Sequence, residues 1–329
     1  MATSPDQQSG TVERAPPRSG NASFVDPSSL MKIKNLQMRA KVIVEGFFSG
    51  LHRSPYHGFS VEFSEYRQYT PGDDLRYLDW RLYARSDRYY IKRFEDETNL
   101  RCYVLLDMSQ SMGYGSRGYA KADYARTAAA TLAYFLALQR DAAGLVTFDD
   151  RIVEYLPARF RPGHLHRLMM CLENSVSGNA TDVGPAIEQI ARTVTKRGMV
   201  VLISDLLAPN DALETQLGYL RSRGHDVVIL RVLDSTEVSF EFSDPAMFED
   251  LESGRELYVD PEGVRESYLA RFAEHEQGIR KVCANLGIDY YQLTTDQPLE
   301  LTLFDFMHAR MRRGRQAARR QRGSRSTTA

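Results

Sequence analysis

The feature that most restricts the fold of this 329-residue chain is a regular alternation of short apolar runs with helical segments from residue 101 onward. The runs CYVLLD at 102–107 and MVVLISD at 199–205 are nearly continuous in apolar residues, which is typical of strands buried on both faces. We therefore predict an α/β fold built on a doubly wound, mostly parallel sheet. Two runs at 144–149 and 151–156 lie close enough together to predict an antiparallel hairpin.

Composition changes along the chain predict four parts. The N-terminal residues are rich in Ser, Pro, Gly and Gln and poor in bulky apolar groups, which is typical of disorder. An amphipathic helix is predicted from about Leu30 to Gly50. The alternation of apolar and polar residues over 59–63 predicts a strand. The predicted parts are a disordered tail at 1–29, a small β-containing N-terminal accessory segment at 30–100, the α/β domain at 101–307 and an Arg-rich tail at 308–329.

Charge is unevenly distributed along the chain. The formal net charge is -1, but the last twenty residues contain eight arginines and no acidic residue, so the remainder carries -9. Domains that bind nucleic acids usually carry their basic residues on a folded face. We therefore expect no nucleic-acid partner.

Three features of the sequence concern its compartment. The longest uncharged helical stretch, at 127–138, is much shorter than the roughly 20 residues that a membrane span needs. The first residues lack the basic start and apolar run of a signal peptide. The cysteines Cys102, Cys171 and Cys283 lie far apart without a CxxC pair, which favours reduced thiols. We predict a cytoplasmic protein without a membrane span.

Side chains with oxygen ligands follow two of the predicted strands. Asp107 ends the first strand and is followed by Ser109 and Ser111, Thr181 stands near the start of a later helix, and Asp205 ends a second strand. Ligands bind beyond the carboxyl ends of parallel strands, so we expect these side chains to converge near solvent. Hard oxygen ligands suit Mg²⁺, with Mn²⁺ and Ca²⁺ as alternatives, and do not suit zinc.

Each of these residues also has an ordinary structural interpretation. Serine and threonine frequently cap helices, and an aspartate often ends a strand. A DxSxS motif alone is therefore a weak signal. The ordered combination of DxSxS, a threonine at a helix start and an aspartate at the end of the next parallel strand favours a divalent-cation site.

The residues described above resemble those of a known protein family. The segment from Arg101 to about Leu293 resembles a von Willebrand factor A domain, whose metal-ion-dependent adhesion site uses a DxSxS loop, a threonine and an aspartate. The preceding block, HGFSVEFSEYRQYTPGDDLRYLDWRLYARSD, followed by the first strand and DMSQSM, resembles the bacterial family called domain of unknown function 58. The resemblance covers about Leu30 to Met307. In the family a glycine commonly follows the last aspartate, whereas this chain has Leu206.

The resemblance implies a function in binding rather than catalysis. It implies a metal-dependent adaptor or scaffold, in which the ion keeps one coordination position for an acidic side chain of a partner protein. Members of the family are commonly encoded beside AAA+ ATPases of the MoxR class. The resemblance therefore implies such an ATPase as a partner in protein assembly or activation, and it implies that the chain is not an enzyme.

The signature block contains many charged and aromatic residues. We expect them to form an internal network that holds the accessory segment on the α/β domain, although a direct functional role is the alternative. The residues concerned are Arg67, Asp73, Asp74, Arg76, Asp79, Trp80 and Arg85.

Two other motifs could indicate an enzyme, but each gives only weak support. The glycines 113, 115 and 118 match GxGxxG, but the motif begins six residues after Asp107, and an unneutralised carboxylate at that strand end would repel phosphate. The pair His164 and His166 follows Pro-Gly and is expected to begin a helix. The alternative function that remains is a metal-dependent enzyme acting on a phosphate or nucleotide at the same strand edge.

Overall fold

The computed structural model describes residues 25–53, 66–70, 83, 85, 88–92, 100–174, 183–249, 254–304 and 306. Its helices are α1 (Pro27–Met31), α2 (Leu36–Arg53), α3 (Lys121–Leu138), α4 (His164–Asn174), α5 (Val183–Thr193), α6 (Asn210–Ser222), α7 (Ser235–Ser239), α8 (Pro261–Leu286) and α9 (299–304). Its strands are β1 (Tyr66–Gln68), β2 (Tyr90–Lys92), β3 (Arg101–Asp107), β4 (Ala142–Phe148), β5 (Ile152–Arg159), β6 (Met199–Ser204), β7 (Asp226–Leu233), β8 (Ala246–Glu249), β9 (Glu256–Val259) and β10 (Asp289–Thr294).

The main sheet has six strands in the order β10-β7-β6-β3-β4-β5. All neighbouring pairs are parallel except β4 and β5, which form the predicted antiparallel hairpin. The predicted α/β fold with a mostly parallel sheet is therefore confirmed. From β3 the chain first builds the sheet outward through β4 and β5, and then returns to β6 on the other side of β3.

The sheet separates two apolar layers. Alternate residues of β3 enter different layers: Cys102, Val104 and Leu106 pack with α2, α3 and α4, whereas Tyr103 and Leu105 pack with α5, α6 and α8. Successive side chains of a strand point to opposite faces, so a strand covered on both faces must be apolar throughout. This packing explains the nearly continuous apolar runs of the sequence.

The N-terminal helices belong to one of these layers. The expected amphipathic helix is divided into α1 and α2, and its first turn begins at Pro27 rather than Leu30. Residues of α2, including Ile43, Val44 and Phe47, are completely buried against α3. The Phe47 ring lies 4.6 Å from the Phe304 ring, centroid to centroid. The described helices of the accessory segment are thus part of the core that covers the sheet.

The signature block is described only in part. The predicted strand at 59–63, Asp79 and Trp80 lie outside the described residues. The described strands β1 and β2 pair antiparallel in a separate two-stranded sheet, and Arg67 lies in β1. A second small sheet pairs β8 with β9 antiparallel, between β7 and α8 along the chain.

Two further expectations concern the described part of the chain. Cys102 and Cys283 are buried, and Cys171 is half-buried. None of the helices described in the structure is both long and apolar enough to cross a bilayer.

Candidate metal centre

The topology places the predicted ligands at a crevice in the sheet edge. The strands β3 and β6 are neighbours, and the chain leaves them toward opposite sides of the sheet. Such a switch point is where open α/β sheets bind ligands, beyond the carboxyl ends of the strands. Asp107 is the last residue of β3, and Asp205 directly follows β6. Both predicted carboxylates therefore lie at the switch point.

The DxSxS motif forms a compact loop. The backbone N–H of Ser109 donates to Asp107 Oδ1 at 2.9 Å, and the hydroxyl oxygens of Ser109 and Ser111 are 3.1 Å apart. A short 3₁₀ turn follows at Gln110–Gly113. The structure thus brings three of the predicted ligands together. Thr181, the fourth, lies outside the described residues.

A serine that the sequence analysis missed supports Asp107 from β6. The hydroxyl of Ser204 donates to Asp107 Oδ2 at 2.5 Å, and it accepts the backbone N–H of Leu206 at 3.1 Å. Ser204 therefore connects the ends of β3 and β6. A lone serine in an otherwise apolar strand was the available signal.

Asp107 is deeply buried. We expected this position to lie near solvent, but its side chain is only 1% exposed because the DxSxS loop and the end of β6 cover it. Burial, together with the neighbouring negative charge of Asp205, raises the pKa of Asp107 to about 6, although hydrogen bonds from Ser204 and Ser109 oppose the rise. The ionised form of Asp107 is thus held in an unfavourable electrostatic environment.

Asp205 has a cationic partner that the sequence analysis also missed. Lys121 Nζ lies 2.8 Å from Asp205 Oδ2 and 2.7 Å from Glu237 Oε1. The Lys121 side chain is fully buried, and that of Glu237 is 19% exposed. Burial alone would lower the pKa of Lys121, but the two carboxylates outweigh this effect and the pKa rises above its usual value. For the carboxyl group of Glu237, burial has the opposite effect and raises the pKa above its usual value.

The backbone around Asp205 is unusual and well supported. Leu206 has a φ of 51°, in the left-handed region that favours glycine, which agrees with the glycine common at this position in the family that the sequence resembles. Its side chain is nevertheless buried in the apolar layer. Arg231 Nε donates to the carbonyl of Asp205 at 2.9 Å, so this buried guanidinium supports the strand end and not the carboxylate.

The glycine-rich loop at 113–118 is hydrogen-bonded to another buried carboxylate, that of Asp234. The backbone N–H and the hydroxyl of Ser116 donate to Asp234, which also accepts from Thr236 and Thr295. Gly115 is required because an added Cβ would lie 2.0 Å from the carbonyl oxygen of Tyr119. The Ser116 amide, at the centre of the loop, is already used internally, and the glycines serve the fold of the loop itself.

Of the two histidines at 164 and 166, His164 has a structural role. His164 begins α4 as expected, and its Nε2 lies 2.8 Å from the carbonyl oxygen of Ala143. In the part of the chain that the structure describes, no three His, Cys, Asp or Glu side chains form a metal-binding group. A cation at the switch point would therefore depend on hydroxyl ligands in addition to Asp107 and Asp205.

The residues at the switch point suit a hard divalent cation. They offer two carboxylates and two hydroxyls, and these are the ligand types that Mg²⁺ and Ca²⁺ prefer. Asp205 and Glu237 share a single ammonium, that of Lys121, whereas Asp107 has no cation among its hydrogen-bond partners in the described structure. Buried charges are usually paired or bind metals, and this imbalance agrees with a cation site.

The fold and this site define an α/β protein with an oxygen-rich cluster at the switch point of its sheet. The family model described as protein of unknown function DUF58 matches residues 65–278. The chain belongs to this family, which confirms the resemblance found in the sequence.

Relatives and solved structures extend the comparison. An uncharacterized protein of Mycobacterium tuberculosis is 27% identical over 302 residues, which cover 90% of this chain and 94% of the relative. The conserved hypothetical protein BatB from Bacteroides thetaiotaomicron is similar with a TM-score of 0.40 and 16% identity, over 64% of this chain and 98% of that chain. The SpRpn10 VWA domain is similar with a TM-score of 0.37 and 13% identity, over 62% of this chain and 94% of that chain.

Proposed function

We propose that this protein is a non-catalytic adaptor that holds a divalent cation at the switch point and uses it to bind an acidic side chain of a partner protein. The cation that we propose is Mg²⁺. The observation that carries the proposal is the convergence of Asp107, Ser109 and Ser111 in one loop beside Asp205. We propose Thr181 as a further ligand. The ion would supply the positive charge that a partner's carboxylate requires.

Electrostatics supports a cation at this place. Asp107 is buried, has no cation within hydrogen-bond distance in the described structure, and faces the negative charge of Asp205. Protonation or a bound cation would each relieve this arrangement. A divalent cation would also offset the excess of carboxylates over ammonium groups in the cluster. At neutral pH, above the pKa of Asp107, the cation is the more effective solution.

The nature of the ligands supports binding over catalysis. Ser109 and Ser111 contribute neutral hydroxyls, so only Asp107 and Asp205 would reduce the charge of the ion. An ion whose remaining ligands are neutral hydroxyls stays more electrophilic than one held by further acidic ligands, and it attracts a partner's carboxylate more strongly. The acidic main body of the chain would otherwise repel an acidic partner, so binding would depend on the metal.

The surface beside the site supports a protein partner. Leu207, two residues after Asp205, is 42% exposed. An exposed apolar side chain next to a cation provides the mixed contact that protein interfaces commonly use. On the family resemblance, we propose a MoxR-class AAA+ ATPase or its client as the partner, in the cytoplasm.

The proposal is tested by comparing two double variants. Ser109→Ala/Ser111→Ala removes both hydroxyl ligands, whereas Ser222→Ala/Ser267→Ala removes two exposed hydroxyls that bond only to nearby carbonyls. We expect calorimetry to show Mg²⁺ binding by wild type and by the control, and loss of binding by the first variant. Co-purification of the MoxR-class ATPase should follow the same order and should fail with chelator present.

Two results would contradict the proposal. Undiminished ATPase association in both the Ser109→Ala/Ser111→Ala variant and the chelated sample would show that the metal centre is not the contact surface. Binding of a nucleotide that requires Asp107 would favour the alternative enzyme. The internal hydrogen bond of the Ser116 amide argues against that alternative, because the amide is not free for a phosphate.

A further inference from the structure

A buried lysine is paired with one carboxylate oxygen of Asp205. Lys121 is the first residue of α3, its side chain has no exposed surface, and its ammonium contacts both Asp205 and Glu237. In the described structure Asp205 Oδ2 is therefore already paired with a positive charge. A metal ion that used this oxygen would have to replace the ammonium there.

The position of this lysine is unfavourable without its two partners. Burial of an ammonium is unfavourable, and the first turn of a helix carries a partial positive charge that repels cations. Asp123 of the same turn accepts the backbone N–H of Ala120 at 3.1 Å, whereas the Lys121 ammonium contacts Asp205 and Glu237. The lysine thus depends on Asp205 and Glu237 to remain charged in this place.

Glu237 is held in place independently of Lys121. Its Oε2 accepts the backbone N–H of Asp234 at 2.8 Å as part of a capping box at the start of α7, while Oε1 contacts the ammonium. Asp234 is itself fixed by hydrogen bonds from Ser116 and Thr236. Lys121 would therefore keep a positioned carboxylate partner if its contact with Asp205 were lost.

We propose that Lys121 is a tethered cation that competes with the metal ion for Asp205, and that Glu237 retains the ammonium when the ion binds. The inference rests on the proposed metal-binding function and adds a regulatory element to it. In the absence of metal the lysine neutralises Asp205; on metal binding it remains on Glu237 alone. Lys121 then sets how much free metal is needed before the adhesion site becomes active.

A charge-balanced double variant tests this competition. Lys121→Met/Glu237→Gln removes one positive and one negative charge, so the charge of the cluster stays the same while the competing ammonium disappears. The matched control is Lys41→Met/Glu45→Gln, which removes an exposed ion pair of α2. We expect calorimetry with Mg²⁺ to show an affinity about tenfold or more higher for the first variant than for wild type, and no change for the control.

The outcomes separate this inference from the proposed function. If wild type binds Mg²⁺ and the Lys121→Met/Glu237→Gln variant binds it no more tightly, the lysine does not compete and only this inference fails. If neither protein binds Mg²⁺, both proposals fail. If only the variant binds it, competition by the lysine is supported, whereas the Mg²⁺ binding by wild type that the proposed function requires fails.

A second measurement follows the Lys121 ammonium in the wild-type chain. NMR of side-chain ¹⁵N-lysine should show a slowly exchanging ammonium signal for the buried Lys121, identified by its absence in Lys121→Met. We expect this signal to shift during a Mg²⁺ titration because one of its two carboxylate contacts is lost. A saturating titration that leaves the signal unchanged would overturn the inference.

Discussion

At the scale of single residues, Asp107 has the most demanding environment of the candidate ligands. It is held by Ser109 and Ser204, both of which donate hydrogen bonds to it, while Asp205 opposes its charge. An amide in its place would keep the shape and remove the charge. The variant Asp107→Asn therefore separates metal binding from packing better than Asp107→Ala, which would leave a buried space.

We expect Asp107→Asn to weaken Mg²⁺ binding by at least about a hundredfold, because a charged ligand is lost. The metal-free variant should be no less stable than metal-free wild type at pH 7.5, since the repulsion from Asp205 disappears. Calorimetry and urea unfolding test the two parts. Unchanged Mg²⁺ affinity would exclude Asp107 as a ligand.

The raised pKa of Asp107 predicts how the stability of the metal-free protein depends on pH. The folded protein holds this proton up to about pH 6, whereas the ordinary pKa is 3.8. The stabilising contribution is therefore fully present below about pH 3.8 and is lost as the pH rises through about 6. Between pH 4 and pH 7 we expect wild type to lose roughly 1–3 kcal/mol relative to Asp107→Asn in urea unfolding. A pH-independent difference between the two proteins would contradict this assignment.

At the scale of elements, the sequence pattern predicted the strands and helices of the α/β domain well. The runs at 102–107 and 199–204 are strands because burial on both faces requires apolar residues throughout. The motif order also predicted that Asp107 and Asp205 would meet, because parallel strands end at one edge. The contact of Lys121 with Asp205 was not predictable, because no motif connects the start of α3 with the end of β6 and only tertiary packing brings the two residues together.

Asp234 connects two loops at the edge of the sheet through its hydrogen bonds. It caps α7 and also holds the glycine-rich loop through Ser116. We expect Asp234→Ala to lower the free energy of unfolding by about 2–4 kcal/mol, since a cap and several charge-assisted hydrogen bonds are lost. Asp211→Ala, an exposed change in the first turn of α6, should cost less than about 0.5 kcal/mol in the same thermal or urea measurement. Equal effects would contradict the role assigned to Asp234.

At the scale of the whole molecule, composition predicted a boundary at residue 100 that the packing crosses. The helix α2 lies before this boundary but buries Phe47 against Phe135 and Phe304 of the α/β domain. A change in composition marks where the sequence pattern changes, and it carries no information on which apolar faces meet. The described accessory helices and the sheet therefore share one core.

This shared core predicts a cost for a single truncated side chain in α2. We expect Phe47→Ala to lower the free energy of unfolding by about 3–5 kcal/mol in a single cooperative transition. Phe160→Ala, at a residue that is 55% exposed, should have little effect. A mild effect of Phe47→Ala, or a separate early transition, would show that α2 folds apart from the sheet.

The ion pair between Lys121 and Asp205 also has a consequence for how the protein is made. A carboxylate cluster at a sheet edge often leaves a newly synthesised chain dependent on metal supply, because folding must bring like charges together. Here α3 supplies a positive charge to the end of β6 from within the chain itself. We therefore expect nascent chains to mature without an ion and to remain folded through periods of metal scarcity.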